Sequence, residues 1–178
     1  MATGSELYRP WMIAGTVFSR MLQCSAEANN WLEHTLTHCL PRHLLEEWQD
    51  RIAYISAEQR DAFRINKALR ESCELIFLSE HIAPSPGMNE ADPIVRYFMF
   101  VCLHETVHAI KQHRPPNEIT PEENESQESE ADRLALQWIN GYLEERNHPD
   151  MPPLTEKEIK SAQASNRDLM KRRHQRIA

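Results

Sequence analysis

The sequence has 178 residues, 40% of them hydrophobic and 26% charged, and its formal net charge is -7. These proportions are typical of a globular domain and exclude an intrinsically disordered chain. The surplus of carboxylates opposes binding to a polyanion, so nucleic acid is not an expected partner. With 4 glycines against 11 prolines, the composition favours helices joined by Pro-marked turns, and we expect residues 1–178 to form a single domain.

The cysteines and the first residues bear on the cellular compartment. The four cysteines form no Cys-x-x-Cys pair, and the start of the chain lacks the pattern of a secretory signal peptide. The apolar stretch 11–18 is far shorter than the roughly 20 residues of a membrane-spanning helix. These observations predict a cytoplasmic protein with no membrane partner.

The first predicted elements are helices within residues 16–52. Apolar residues recur at spacings of three and four from Ala26 to Leu40 and again from Arg42 to Ile52, and Pro41 separates the two runs. Two amphipathic helices are therefore expected here.

Residues 51–73 allow two interpretations. Segments 53–55 and 62–65 have the composition of short strands, but residues 57–73 also fit the periodicity of one helix. The next segment, 74–79, is the best strand candidate in the chain. We therefore expect a helix-rich α+β fold with a small antiparallel sheet, and the choice between strands and a helix at 51–73 stays open.

A long apolar helix is predicted after the sheet. Asp92 is placed to cap this helix, Pro93 suits its first position, and Pro115 forbids its continuation. The acidic stretch 115–132 is typical of a hydrated connection, after which apolar spacing indicates another helix. A last helix is predicted at about 155–176.

The long helix ends in a His-Glu-x-x-His motif at residues 104–108. Histidines four positions apart lie one turn above each other on a helix, with about 5–6 Å between their Cβ atoms. His104 and His108 can therefore both bind one zinc ion, at roughly 2.0–2.1 Å from each nitrogen. Glu105 is rotated by about 100° and borders the ion, where it can act as general base towards a zinc-activated water. This chemistry suits hydrolysis of a peptide bond.

A third metal ligand is expected from the sequence Glu-Ser-Glu-Ala-Asp at 128–132. The chain between the motif and this sequence is long enough for a loop to bring these residues back to the two histidines. Glu128 and Asp132 share a face of a helix. Glu128 is the predicted ligand, and Asp132 is predicted to accept the outer N–H of a ligand histidine. Glu130 is the alternative ligand if the helix begins later.

These two segments together resemble the gluzincin metallopeptidases, in which HExxH is completed by a glutamate on a following helix, often within an ExxAD-like sequence. HETVH followed by ESEAD is most similar to compact bacterial and phage-linked members, such as the ImmA/IrrE-like and Lit-like peptidases. The resemblance covers about residues 76–143. It implies a minimal zincin-like domain with a catalytic core at about 74–145.

The resemblance also implies the composition of the site. One zinc ion per chain is expected at His104, His108 and Glu128, with Glu105 as the base. Segment 75–79 is expected to be an edge strand that holds an extended protein or peptide substrate.

Some assignments stay open. Tyr142 and His148 are the candidates for a group that stabilises the transition state. His113, near the end of the motif helix, is explained by the helix dipole and is not assigned to the site. The main alternative function is a zinc-stabilised binding or regulatory module without hydrolysis, although a purely structural site has no use for Glu105. A DNA-associated regulator acting through the basic residues after Asn166 is a weaker alternative, because the whole chain is acidic.

Overall fold

The computed structural model describes residues 25–49, 51–57, 62–69, 73–146 and 151–177. Within these residues the chain is a helix-rich α+β structure with one three-stranded sheet. The α-helices are α1 (Ala26–Cys39), α2 (Arg42–Trp48), α3 (Pro93–Ile110), α4 (Pro121–Arg146) and α5 (Glu156–Ile177). The strands are β1 (Ile52–Ala57), β2 (Ala62–Leu69) and β3 (Cys73–Ser79), and short 3-10 helices occupy Glu80–Ile82 and Pro116–Glu118.

The two amino-terminal helices occupy most of the predicted ranges. The Ser25 side chain caps α1 by accepting a hydrogen bond from the Ala28 amide at 3.1 Å. The second helix ends at Trp48 rather than continuing to Ile52, because Ile52 begins β1. The residues from 52 to 73 that the structure describes are strands, so the helical interpretation of 57–73 is wrong.

The sheet is mixed, with strand order β1-β3-β2. Strand β3 pairs parallel with β1 and antiparallel with β2. The expected antiparallel sheet is therefore wrong for the β1–β3 pair. The strand direction reverses from β1 to β2 and again from β2 to β3, so β1 and β3 run the same way, and β3 lies beside β1.

The central position of β3 also corrects the expected substrate strand. Both sides of β3 are paired, Ala53 with Leu75 in β1 and Ile65 with Leu75 in β2. The backbone of segment 75–79 is therefore not at an edge, and among the strands that the structure describes, β1 and β2 are the outer ones.

Alternate residues of β1 and β3 face opposite sides of the sheet, as the period of two requires. Tyr54 and Ile76 belong to the larger of two buried hydrophobic clusters, which we call the main core, whereas Ala53, Ile55 and Leu75 form the second cluster. The Tyr54 hydroxyl lies 2.5 Å from Oγ1 of Thr106, which donates to the Cys102 carbonyl at 2.6 Å. This contact fixes the sheet against the part of α3 that carries the motif.

Helix α3 lies at the centre of the main core. Every residue from Val95 to Leu103 is buried, as expected for a largely apolar helix, and the one charged residue among them, Arg96, donates to the Pro152 carbonyl at 2.7 Å. Beyond Leu103, the less buried positions of the helix are His104, Glu105, His108 and Ile110. The polar residues of the motif therefore form the open end of a buried helix.

The start of α3 has an identifiable signal. Asp92 occupies the N-cap position, but its carboxylate accepts from the Asn89 amide at 2.8 Å and makes no hydrogen bond to the helix. Pro93 is the first residue, as predicted.

Helix α4 begins at Pro121, so the prediction that the acidic stretch up to residue 132 is a hydrated loop is wrong beyond Thr120. Thr120 and Glu123 form a capping box. The Glu123 amide donates to Thr120 Oγ1 at 3.2 Å, and the Thr120 amide donates to Glu123 Oε2 at 2.9 Å. Carboxylates are also favourable in the first turn of a helix, where the dipole is positive.

Helix α4 runs back along α3. His104 is beside Glu128 at one end of the helix pair, and at the other end Glu90, just before α3, accepts a hydrogen bond from Tyr142.

None of the helices described has both the length and the apolar character required to cross a membrane. Cys39 and Cys102 are buried free thiols.

Candidate metal centre

Ligand atoms of three side chains from α3 and α4 lie close together. Nε2 of His104 lies 3.0 Å from Nε2 of His108, and the Glu128 carboxylate oxygens lie 3.4 Å and 3.6 Å from these two nitrogens. A tetrahedral ion with bonds of about 2.0–2.1 Å separates its ligand atoms by roughly 3.3 Å. The three spacings in the protein, two of which involve different oxygens of Glu128, lie near that value, so the three side chains could hold a metal ion.

The number of donors and their exposure describe an open site. Among the described residues, the metal-binding group consists of these three side chains. The two histidine side chains are 15% and 12% exposed, whereas the Glu128 side chain is 48% exposed. The buried side of the group is formed by α3, and its carboxylate side faces solvent.

Asp132 lies one helical turn beyond Glu128 and contacts the outer nitrogen of His104. Its Oδ1 is 2.9 Å from His104 Nδ1. In the neutral ring, a carboxylate in this position keeps the single proton on Nδ1, so that Nε2 is the nitrogen available to a metal.

The electrostatic surroundings of His104 favour positive charge. Burial opposes a charge on the ring, but the hydrogen bonds to Asp132 and Glu128 outweigh burial and raise the pKa of His104 to about 9. The hydrogen bond with His104 in turn lowers the pKa of Glu128. In the metal-free chain, His104 therefore holds an additional proton, and a metal cation would have to displace it.

Glu105 lies beside the ligand group, on the half-buried part of α3. Its negative charge contributes to the raised pKa of His104. Burial and then the charge of Glu105 also raise the pKa of the Cys102 thiol. The carboxylate is thus close to the metal-binding atoms without being one of them.

Glu130, the alternative ligand, is not part of the metal-binding group. Its Oε1 lies 3.0 Å from Nζ of Lys111, and its Oε2 lies 3.2 Å from Nε2 of His113. His113, left unassigned from the sequence, lies in turn against His108, with 2.9 Å between the two Nδ1 atoms. Its position in the sequence, five residues after His108, was the available signal.

Tyr142 lies at the opposite end of α4 from the ligand group. It follows Glu128 by four helical turns, which corresponds to about 21 Å along the axis. Its hydroxyl donates to Glu90 at 2.6 Å and lies 3.0 Å from Nε2 of His34. The structure therefore does not bring Tyr142 to the metal-binding atoms, and His148 lies outside the described residues.

Comparisons of the chain with protein-family models, with curated proteins and with solved structures found no match.

Proposed function

We propose that this chain is a zinc-dependent metallopeptidase of the gluzincin type, which hydrolyses a peptide bond in a specific protein substrate. The observation that carries the proposal is the convergence of ligand atoms from His104, His108 and Glu128 beside Glu105. Two imidazoles and one carboxylate are a donor set that zinc accepts, whereas calcium and magnesium prefer oxygen ligands. Zinc is therefore the metal that we assign.

The residues around the ion have distinct roles in this proposal. When bound, zinc lowers the pKa of water towards about 7 and polarises a carbonyl oxygen. Glu105 accepts the proton of the attacking water and returns it to the amine of the leaving peptide. Asp132 keeps the proton of His104 on Nδ1 and so keeps Nε2 available.

The open geometry favours an enzyme over a purely structural zinc site. Structural zinc is commonly enclosed by four protein ligands, whereas catalytic zinc has three and keeps one position for water or substrate. The described residues supply three, and the Glu128 side chain is 48% exposed. We further propose a cytoplasmic location, in which the buried free thiols Cys39 and Cys102 stay reduced.

The test is the metal content of untagged protein, measured by mass spectrometry after zinc reconstitution and dialysis. We expect about one zinc per chain in the wild type and in Glu105→Gln, and loss of zinc in His104→Ala and Glu128→Gln. Glu125→Gln is the matched control, because Glu125 is an exposed carboxylate on the same helix. Wild-type protein without zinc would refute the proposal.

Hydrolysis is tested separately from binding. Zinc-loaded Glu105→Gln should retain a bound protein partner from a cell extract that the wild type releases in cleaved form, because only the base has been removed. Retention with no cleavage by the wild type would instead support the zinc-stabilised binding module.

A further inference from the structure

Helix α3 ends in a turn that folds the chain back onto its last residues. The amide of Gln112 donates to the Ala109 carbonyl at 3.1 Å, and the amide of His113 donates to the His108 carbonyl at 3.0 Å. Gln112 has a φ of 53°. These are the two hydrogen bonds and the left-handed residue of a Schellman motif. The turn therefore places His113 beside the last turn of the helix, where His108 lies.

The His113 side chain is buried between two partners. Its Nδ1 lies 2.9 Å from Nδ1 of His108, and its Nε2 lies 3.2 Å from Oε2 of Glu130. Only 6% of the residue is exposed. Interaction with the helix dipole alone does not require a buried ring between two specific partners.

The proton positions follow from what His108 must do as a ligand. Its Nε2 faces His104 and Glu128 and must be unprotonated to bind a metal. The ring proton is then on Nδ1 and is donated to Nδ1 of His113. His113 in turn carries its own proton on Nε2 and donates it to Glu130. One set of neutral tautomers satisfies both contacts.

We infer that His113 is a positioning residue for the metal ligand His108, and that Glu130 completes this support by fixing the tautomer of His113. The inference rests on the proposed metal site. Each ligand histidine then has its outer nitrogen connected to a carboxylate of α4, His104 directly to Asp132 and His108 through the ring of His113. His113 is not itself a fourth ligand, because it contacts the nitrogen of His108 that faces away from the metal-binding atoms.

The test is the zinc affinity of His113 variants, measured by competition with a chromophoric chelator at fixed pH. We expect His113→Ala to lower the affinity by about 10- to 100-fold, the usual effect of losing such a partner. His113→Asn should recover most of the loss, because the amide oxygen can accept the Nδ1 proton of His108. The visible spectrum of the cobalt-substituted protein should change in His113→Ala and return towards the wild type in His113→Asn, which loss of stability alone would not produce.

Two further variants test the role of Glu130. Glu130→Ala should weaken zinc binding in the wild type but add little to His113→Ala, because both act through one chain of hydrogen bonds. Lys111→Ala is the matched control. It removes the other partner of Glu130 in an exposed ion pair, and we expect an affinity within about twofold of the wild type.

The outcomes separate this inference from the proposed function. Wild-type protein that binds no zinc would overturn both. A wild type with about one zinc, together with a His113→Ala affinity within twofold of it, would overturn the role of His113 alone. Equal losses in His113→Ala and His113→Asn would also overturn it. If His113→Ala does not fold, Glu130→Ala decides, because its side chain is 36% exposed and its truncation leaves no large cavity.

Discussion

Replacing Asp132 by Asn should weaken zinc binding by an amount that depends on pH. The substitution keeps an oxygen that can accept the Nδ1 proton of His104 but removes the negative charge 2.9 Å away. Loss of such a carboxylate costs about 10- to 100-fold in metal affinity. Because the Asp132 side chain is 53% exposed, solvent screens part of its charge, and we expect the lower end, about tenfold.

Proton competition sets the direction of the pH dependence. With a His104 pKa of about 9, the wild type must release a proton to bind zinc, which at pH 7.5 reduces the apparent affinity by roughly 30-fold. Asp132→Asn lowers the pKa of His104, so competition from protons reduces the zinc affinity of the variant by a smaller factor. The loss of apparent zinc affinity in the variant, relative to the wild type, should therefore be small at pH 6.5 and grow towards pH 8.5.

The assay is chelator competition at several pH values for the wild type, Asp132→Asn and Glu144→Gln. Glu144 is an exposed carboxylate on the same helix and controls for the change in net charge. A deficit that shrinks as the pH rises would refute this reasoning. A deficit equal to that of Glu144→Gln would refute a specific role for Asp132.

Three predictions concern stability, each measured as the free energy of unfolding of the metal-free protein in urea. Gln112→Gly should stabilise by about 0.5–1 kcal/mol, because glycine relieves the cost of a φ of 53°; destabilisation would contradict the turn described. Thr120→Ala should destabilise by about 1 kcal/mol through loss of the capping box of α4, and an unchanged value would argue against that helix start. Ile139→Ala should destabilise by about 2–5 kcal/mol, because Ile139 is 1% exposed in the main core, whereas exposed Glu144→Ala should change little.

The helical parts of the fold were the most predictable from the sequence. The start of α3 follows from Pro93, and its apolar run is expected to be buried, whereas its end at Ile110 is set by the turn at Gln112 rather than by Pro115. The motif then places His104 and His108 on one side of that helix. Local signals of this kind do not depend on the rest of the chain.

The sheet order could not be predicted in the same way. Alternating apolar residues indicate strands but do not say which strand lies between the others. Whether β3 is central or at an edge is decided by long-range pairing with β1, and the expected edge position was wrong.

The acidic composition of 115–132 indicates a loop, although the same stretch contains a local signal for the start of α4. Thr120, Pro121 and Glu123 are a capping box with proline at the first position, which the sequence already contains. The contact between His113 and His108 was less accessible, since it depends on a left-handed residue that is glutamine rather than glycine.

The side chains that would bind and support the ion all come from residues 104–132, and this proximity has a consequence for folding. Joining the ends of so short a segment costs little chain entropy, and its contacts do not wait for the sheet to assemble. An ion held there acts as a cross-link within the hairpin of α3 and α4. Its binding free energy therefore enters the stability of that hairpin directly and reaches β1 only through contacts such as that between Tyr54 and Thr106.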